Sequence, residues 1–293
     1  MEKQKRRWGD RKDGRLIRDI DALHIINAYI QPNRADNEAY ISERIDLTKI
    51  NEYIARKNQG DVGALPYTVF HVIAAALAKT VVLRPKMNRF IQNKRIYHRN
   101  EITLSFVIKK KFNDEAEEAL AFVKCDEHST IESLHNELVK QVTSFRKEAK
   151  DNTTDVMDSL KKIPRPILSL IMKILVALDK RGKVPAALGK TDPLYATVFI
   201  SNLGSIGLKC GYHHLSNWGT NSMFVVVGKK ELKPFYDSEG NITMREALDL
   251  GLTIDERIAD GYYYAKTVKL LKYLLQNPEL LEQEAAMEVD YEQ

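Results

Sequence analysis

Ionisable side chains cluster at the end of an apolar run near the C-terminus. Residues 250–254 alternate leucine or isoleucine with smaller or polar residues, which is typical of a β-strand. Four ionisable residues follow within six positions: Asp255, Glu256, Arg257 and Asp260. Because charge is costly to bury unless it is paired, this spacing predicts an ion pair between Arg257 and Asp260 that holds the strand tip. The alternative is a group of side chains placed for proton transfer.

A helix is predicted directly after this tip. Gly261 closes the charged segment, and apolar residues then recur at helical intervals: Ala265, Val268, Leu271 and Leu275. The Asn277–Pro278 dipeptide marks the end of the pattern. A strand, a charged tip and a helix are therefore expected to position the four ionisable side chains.

A second group with chemical potential is a histidine pair in the glycine- and serine-containing segment from Gly211 to Trp218. His213 and His214 could fill a surface or an interface between subunits. They could instead accept a proton, because a neutral imidazole titrates near neutral pH. A metal site is less favoured, because no carboxylate or cysteine follows at ligand spacing.

Composition limits the class of protein. The chain has 293 residues, of which 44% are hydrophobic and 29% charged, as in a soluble globular protein. Part of the net charge of +5 lies in a basic lead-in, residues 1–20, which we expect to be a solvated arm. No basic face interleaved with aromatic residues is apparent elsewhere, so nucleic acid is not an expected partner. A polyanionic ligand is compatible with this charge.

Cysteine usage and apolar runs bear on the location. Cys125 and Cys210 form neither a disulfide framework nor a metal-binding spacing, which fits a reducing cytoplasm. The basic N-terminus lacks the apolar core of a signal peptide. The most apolar run, Pro166 to Leu178, is too short to span a bilayer. We expect a buried helix there, with an interfacial helix as the alternative.

The order of elements favours one mixed domain. Helices are predicted after Asp46, from Val69 to just before Arg84, and after Ser129. Strands are predicted at 25–29, 95–98, 102–108, 119–125, 195–201, 223–228, 232–235 and 250–254. This irregular order indicates an α+β fold over residues 21–281. An acidic tail, residues 282–293, is expected to fray.

The charged tip also resembles the Asp-His-Arg-x-x-Asp-Gly signature of the dihydrolipoamide acyltransferases of 2-oxoacid dehydrogenase complexes and of their relative chloramphenicol acetyltransferase. The match covers all the fixed positions of the signature except one, because Glu256 stands where that family has its histidine. Phe199–Gly204 is similar to the family's Thr-Ile-Ser-Asn-Leu-Gly stretch, and Pro85 to Asn88 is similar to its Pro-x-x-Asn element. Ser201 precedes Glu256 by 55 positions, close to the separation in the family.

The resemblance implies a chloramphenicol acetyltransferase-like two-layer sandwich, a mixed sheet flanked by helices, assembled as a homotrimer. It implies active sites between subunits, with coenzyme A and a small-molecule acyl acceptor entering from opposite ends, and no metal. Ser201 would stabilise the oxyanion, although a strand-end hydroxyl that caps a turn is the alternative. Asp260 and Arg257 would hold the tip, and the base would be Glu256 or one of the two histidines, His213 and His214.

Two functions follow from this resemblance. The first is coenzyme A-dependent transfer of an acyl group to a thiol, hydroxyl or amine, with an atypical or impaired catalytic base. The second is a non-catalytic trimeric relative that binds ligands or acts as a scaffold. No lipoyl domain is apparent in the chain, so we expect a stand-alone protein. The replacement at Glu256 favours the second function, and the retained Ser201 stretch favours the first.

Overall fold

A mixed β-sheet with helices on one face organises the chain. The computed structural model describes residues 6–60, 65–109, 118–147, 163–189 and 192–292. Its helices, in chain order, are α1 (Ala22–Ile30), α2 (Thr48–Lys57), α3 (Val69–Leu83), α4 (Ile131–Lys147), α5 (Arg165–Asp179), α6 (Ala186–Gly189) and α7 (Gly261–Gln276). Its strands are β1 (Gly14–Leu16), β2 (Glu38–Asp46), β3 (Arg89–Gln92), β4 (Arg95–Arg99), β5 (Ile102–Lys109), β6 (Glu118–Cys125), β7 (Val198–Asn202), β8 (Met223–Val227), β9 (Glu231–Tyr236) and β10 (Ile242–Asp255).

The strands form a large sheet and a small one. The large sheet has the order β2-β10-β8-β7-β5-β6, and β9 pairs with the first half of β10. Strands β5, β7 and β8 run parallel to one another, whereas the other neighbours are antiparallel. The small sheet has the order β1-β4-β3. The predicted α+β class and the two-layer sandwich with a mixed sheet are therefore confirmed.

Helix α3 is the centre of the helical layer because it is apolar on nearly every side. Its predicted stripe is fully buried and joins the main hydrophobic core: Val69, Ile73, Leu77 and Val81. Three consecutive alanines, Ala74 to Ala76, are also buried, and small side chains let neighbouring elements approach closely. Helices α2, α4 and α7 pack beside α3 and complete the layer over the sheet.

The opposite face of the sheet is covered by the segment from Leu203 to Trp218. A second, smaller core forms there from the buried residues Leu215, Phe224 and Val226. Close backbone approach is possible because glycines lie in the sheet. A Cβ on Gly251 would collide with the carbonyl oxygen of Gly211, and one on Gly228 would lie 2.6 Å from the Cys210 nitrogen. This segment therefore rests directly on strands β8 and β10.

Several sequence predictions about local structure are wrong. Residues 25–29 belong to helix α1 rather than to a strand, because Asp21 caps the helix by accepting a hydrogen bond from the His24 nitrogen at 3.1 Å. Short apolar runs fit either element, so periodicity alone did not separate them. Strand β10 also begins at Ile242, well before the predicted start at Leu250, because its first half pairs with β9.

The described parts of both chain ends make contacts that their charge did not predict. Within the lead-in expected to be solvated, the Arg11 guanidinium is buried and bonds Asp13 and the carbonyl oxygen of Asp179, each at 2.8 Å. The tail expected to fray packs on the domain. Buried Lys79 donates to the carbonyl oxygen of Glu284 at 2.8 Å, and Ala285 is buried. Backbone and long-range contacts thus order segments whose charge suggested solvation.

Helix α5 differs most from the sequence prediction. The sequence predicted a buried helix, yet Asp179 is its only buried residue among those that the structure describes. Large apolar side chains of α5 are exposed: Ile167, Leu170, Met172, Ile174 and Val176. The helix forms as its composition predicts, but the part of the domain that the structure describes does not cover it.

Candidate functional site

The tip of strand β10 is fixed by a buried ion pair. Asp255 and Arg257 are joined by two hydrogen bonds, Nε to Oδ1 at 2.8 Å and Nη2 to Oδ2 at 2.7 Å, with side-chain exposures of 0% and 1%. Arg257 also donates to the carbonyl oxygen of Gln31 at 2.7 Å, at the end of α1. The Tyr264 hydroxyl donates to the carbonyl oxygen of Asp255 at 2.8 Å. These hydrogen bonds hold the tip of β10 against the end of α1 and against α7.

The expected ion pair between Arg257 and Asp260 is therefore replaced. A short 3-10 turn over residues 256–258 returns Arg257 to Asp255. Asp260 instead caps α7, where its Oδ1 accepts from the Tyr263 nitrogen at 2.8 Å. That hydrogen bond lowers the pKa of Asp260, and the positive charge of Lys86, whose Nζ lies 3.8 Å away, acts in the same direction.

Glu256 lies at the tip but takes no part in this network of buried bonds. Its side chain is exposed and lines a cavity of about 930 Å³ between α1, β2 and α7. Polar residues on the cavity wall include His24, Asp260, Lys269 and Lys272. The residue in the histidine position of the signature therefore faces open space large enough for a small-molecule ligand.

Ser201 lies on β7, separated from the tip of β10 by strand β8. It pairs with Val226, whereas Ile254 of β10 pairs with Met223, three residues along β8. At about 3.3 Å per residue and about 4.8 Å between strands, the two backbone positions are about 14 Å apart, and Glu256 lies beyond Ile254. One protomer thus does not bring Ser201 and Glu256 together.

The two histidines share a sheet face with Ser201. The His213 ring stacks on Phe224 with centroids 4.1 Å apart, and Phe224 packs against Phe199 at 4.6 Å. Side chains two positions apart on a strand point the same way, so Ser201 and Phe199 lie on this face. The structure therefore groups Ser201 with residues 211–218, which we call the histidine segment, and Glu256 with the cavity.

The histidine pair is ordered by its own contacts. Both side chains are exposed, and the His213 and His214 rings stack with centroids 4.5 Å apart. The Nδ1 atom of His213 lies 3.0 Å from the carbonyl oxygen of His214. A carbonyl can only accept, so Nδ1 carries the hydrogen and Nε2 of the neutral ring is left as the proton acceptor. The arrangement suits an imidazole base.

Arg34 connects the histidine segment to strand β3, although no motif in the sequence identified it. The buried guanidinium donates to the carbonyl oxygens of Ser216 and of Ile91, the latter at 2.7 Å. Its backbone nitrogen donates to Asn217 at 2.8 Å. Burial lowers the pKa of Arg34 to about 10. Glu38, opposite Asp255 in the sheet, also accepts from the Leu215 nitrogen.

Other cavity residues were also missed by sequence reasoning. Lys269 and Lys272 lie three positions apart on α7, a spacing that places them on one side of a helix. Lys272 pairs with Glu43 at 2.7 Å. His24 contacts Asp21 at 2.6 Å through Nδ1. The spacing on α7 was visible in the sequence, but which side of α7 borders a cavity was not.

Metal ligands and membrane-spanning helices are the next features of the described chain. Within the described ranges, no group of three or more histidine, cysteine, aspartate or glutamate side chains has the arrangement of a metal site. None of the helices described here combines the length and apolar character needed to cross a bilayer.

Comparison with known proteins identifies the relatives. Residues 168–282 match the family model described as 2-oxoacid dehydrogenases acyltransferase (catalytic domain). No curated protein matches the sequence.

Solved structures are similar over almost the whole chain. A probable dihydrolipoamide acetyltransferase from Listeria monocytogenes has a TM-score of 0.59 at 16% identity, covering 89% of this chain and 94% of its own. Dihydrolipoamide acetyltransferase from Azotobacter vinelandii has a TM-score of 0.59 at 16% identity, with coverages of 91% and 94%. A chloramphenicol acetyltransferase has a TM-score of 0.52 at 12% identity, with coverages of 90% and 98%.

The resemblance inferred from the signature is thus confirmed: the chain has the fold of dihydrolipoamide acetyltransferases and of chloramphenicol acetyltransferase, and its residues 168–282 match the acyltransferase catalytic domain of the 2-oxoacid dehydrogenase family.

Proposed function

We propose that this protein transfers an acyl group from coenzyme A to a small thiol, hydroxyl or amine, at sites between the subunits of a cytoplasmic homotrimer. The observation that carries the proposal is the cavity of about 930 Å³ beside Glu256. The cavity lies at the position where the Asp-His-Arg-x-x-Asp-Gly signature has its histidine, and the fold is shared with known acyltransferases.

The distance between Ser201 and Glu256 supports a site built by two protomers. A head-to-tail interface needs two different patches on each protomer, and rings close when the rotation between neighbours allows it. Exposed apolar residues occur in α1, beside the cavity: Leu23, Ile26, Tyr29 and Ile30. Others lie in the segment that follows Ser201: Ile206, Leu208 and Tyr212. Joining these patches would carry Glu256 of one protomer towards Ser201 of the next.

A lysine on the wall of the cavity supports an anionic co-substrate. Lys269 lies on the α7 side of the cavity, whereas Lys272 on the same helix is paired with Glu43. Coenzyme A carries phosphates, which are attracted to positive side chains. Glu43, Glu256 and Asp260 line the same cavity and oppose this attraction, so we expect the phosphates to bind beside Lys269.

The roles of the site residues follow from their positions. Ser201 would donate a hydrogen bond to the oxyanion of the tetrahedral intermediate. Glu256 is exposed in one protomer, so it would act as the base only where a neighbouring protomer covers it. His213 or His214, on the face of Ser201, would otherwise accept the proton. Arg257, bonded to Asp255, and Asp260 would hold the tip in place.

The second candidate function is a trimeric binding protein without turnover. The observation that favours it is Glu256 itself, because the imidazole expected at this position is missing. In this case the cavity would bind coenzyme A or a related ligand without releasing a product.

Release of coenzyme A, detected with a thiol reagent, tests both functions. Acyl donors of different chain length would be paired with thiol, hydroxyl and amine acceptors. We expect turnover in the wild type that Ser201→Ala lowers by about 100-fold, as for the loss of one oxyanion donor. The variant that loses turnover, Glu256→Gln or His213→Gln, identifies the base. Glu239→Gln in an exposed turn is the matched control and should keep turnover.

Two results would decide against the proposal. Binding of coenzyme A without turnover, in the wild type and in Glu256→His alike, would favour the binding protein. A mass of 33.6 kDa by light scattering, instead of three times that value, would remove the site between subunits.

A further inference from the structure

Helix α5 is apolar but lies outside the hydrophobic cores of the domain. Ile167, Leu170 and Ile174 are 54%, 60% and 52% exposed. Among the residues described, no α5 side chain belongs to or packs against either core cluster. An isolated helix of this length is marginally stable in water, because helices in proteins gain most of their stability from a packed apolar face. The apolar face of α5 therefore has no packing partner among the described residues.

The C-terminal end of α5 is nevertheless firmly attached. Buried Asp179 accepts hydrogen bonds from the Tyr195 hydroxyl at 2.7 Å, from Gln92 at 2.7 Å and from the Gly219 nitrogen at 3.2 Å. Its carbonyl oxygen accepts from Arg11 at 2.8 Å. This polar anchor fixes the helix on the domain and leaves its apolar length at the surface.

The apolar side chains have a regular arrangement on the helix. Ile167, Leu170 and Ile174 follow at intervals of three and four residues and so line one side. Lys173 lies next to this side, and Ser169 lies beyond it on the wheel, close to the exposed Val176. Three of the five exposed large apolar side chains of α5 therefore share one side of the helix, and its exposed polar residues lie on the other.

The charges around α5 are of one sign. Five basic residues lie on the helix or within four positions of its end: Arg165, Lys173, Lys180, Arg181 and Lys183. Asp179 is the only acidic residue in the described segment 163–189, and it is 1% exposed and hydrogen-bonded internally. The exposed surface of this segment is thus apolar and positive, without a compensating carboxylate of its own.

We propose that α5 docks the protein on an anionic lipid surface, lying parallel to the membrane with Ile167, Leu170 and Ile174 among the acyl chains. An apolar stripe flanked by cations is typical of interfacial helices. Interfaces between proteins are instead depleted in lysine. Fifteen residues extend about 22 Å, which suits a helix in the membrane plane and is too short to span. The proposal does not depend on the acyltransferase function.

Sedimentation of the full chain with phospholipid vesicles tests this. We expect binding to phosphatidylcholine vesicles that contain phosphatidylglycerol, and weak binding to phosphatidylcholine alone. The double variant Leu170→Gln with Ile174→Gln removes apolar contact without a change of charge, and should weaken binding about tenfold or more. Lys173→Gln with Lys183→Gln should weaken binding and reduce its dependence on salt, because surface charges are screened.

A matched control uses exposed apolar residues away from α5. Leu232→Gln with Ile242→Gln changes two side chains of β9 and β10 that are 70% and 61% exposed. We expect this control to bind vesicles like the wild type. Circular dichroism and urea unfolding would show that each variant is folded.

Three outcomes would overturn the proposal. The first is no sedimentation of the wild type with either vesicle. The second is equal loss of binding in the control and in the α5 variant. The third is a smaller oligomer for Leu170→Gln with Ile174→Gln, measured by light scattering, without any effect on vesicles; α5 would then dock on a second copy of the chain.

Discussion

Folded proteins usually bury apolar side chains and expose charged ones, and the tip of β10 and helix α5 depart from this pattern in opposite ways. The tip buries a charged pair, Asp255 and Arg257, whereas α5 exposes a row of large apolar side chains. Each arrangement is unfavourable unless something compensates for it. At the tip the compensation is complete within one protomer, since each charge meets the other and the remaining donors find carbonyl oxygens.

At α5 the described residues of the domain provide no such compensation. The only buried residue of the helix, Asp179, is a polar anchor, and the apolar face remains open. A buried polar group whose hydrogen bonds are satisfied within the domain thus supports local geometry. An exposed apolar face without contacts inside the domain indicates a contact with another molecule. Substitutions at the tip should therefore affect folding, and substitutions on α5 should affect association.

The largest effect should follow from breaking the buried pair. Arg257→Ala leaves the Asp255 carboxylate buried and unpaired, so we expect the free energy of unfolding to fall by about 3–5 kcal/mol. Urea unfolding measures this. Arg56→Ala is the control, because its pair with Glu279 is exposed and should contribute less than about 1 kcal/mol. Equal unfolding midpoints for the two variants would contradict the importance of burial.

A smaller loss should result from filling the space beneath the histidine segment. Gly251→Ala places a Cβ against the carbonyl oxygen of Gly211, and such overpacking lowers the free energy of unfolding by about 1–3 kcal/mol. Gly261→Ala is the matched control, because no atom lies within 4 Å of its added Cβ. If both variants unfolded at the wild-type urea concentration, the contact between β10 and this segment would be looser than the structure indicates.

Loss of the helix cap should have a moderate effect. Asp260→Ala removes the acceptor for the Tyr263 nitrogen, which lowers the free energy of unfolding by about 1 kcal/mol. Asp260→Asn keeps a capping side chain and removes the charge. Because the folded-state pKa of Asp260 is lowered below 3.8, the stability due to its charge is present above that pH and is lost as pH falls through the folded value.

Urea unfolding of the wild type and of Asp260→Asn at a series of pH values tests the sign. The difference between them should shrink as the pH falls below 3.8. A difference that grew towards acid would show that the carboxylate is not stabilised by its neighbours in the folded state.

The smallest effect on stability should be at α5. Leu170→Gln with Ile174→Gln should change the free energy of unfolding by less than about 0.5 kcal/mol, because neither side chain enters a core. Leu77→Ala on the buried α3 is the contrast, with an expected loss of about 2–5 kcal/mol. A loss above about 1 kcal/mol for the α5 variant would mean that the domain itself uses this face.

Much of the fold could be predicted from the sequence because its main elements carry strong periodic signals. Helix α3 has apolar residues on every turn and a proline just after its end, and α7 follows a charged tip and ends before Pro278. Helix α1 was missed because a nine-residue apolar run has no decisive period. The site was predicted in part: the tip and Ser201 were found by resemblance, whereas Arg34 and the lysines of α7 were not.

From the amino-acid sequence alone came most of the helices, strands β4 to β9, the second half of β10, the place of the charged tip and the replacement of a histidine by Glu256. The three-dimensional structure was needed to establish that Arg257 pairs with Asp255, that Glu256 opens into a cavity, and that α5 lies outside the core. Periodicity in a sequence records which side of an element is apolar. The partner of that side is set by the path of the chain and by contacts between residues far apart in sequence.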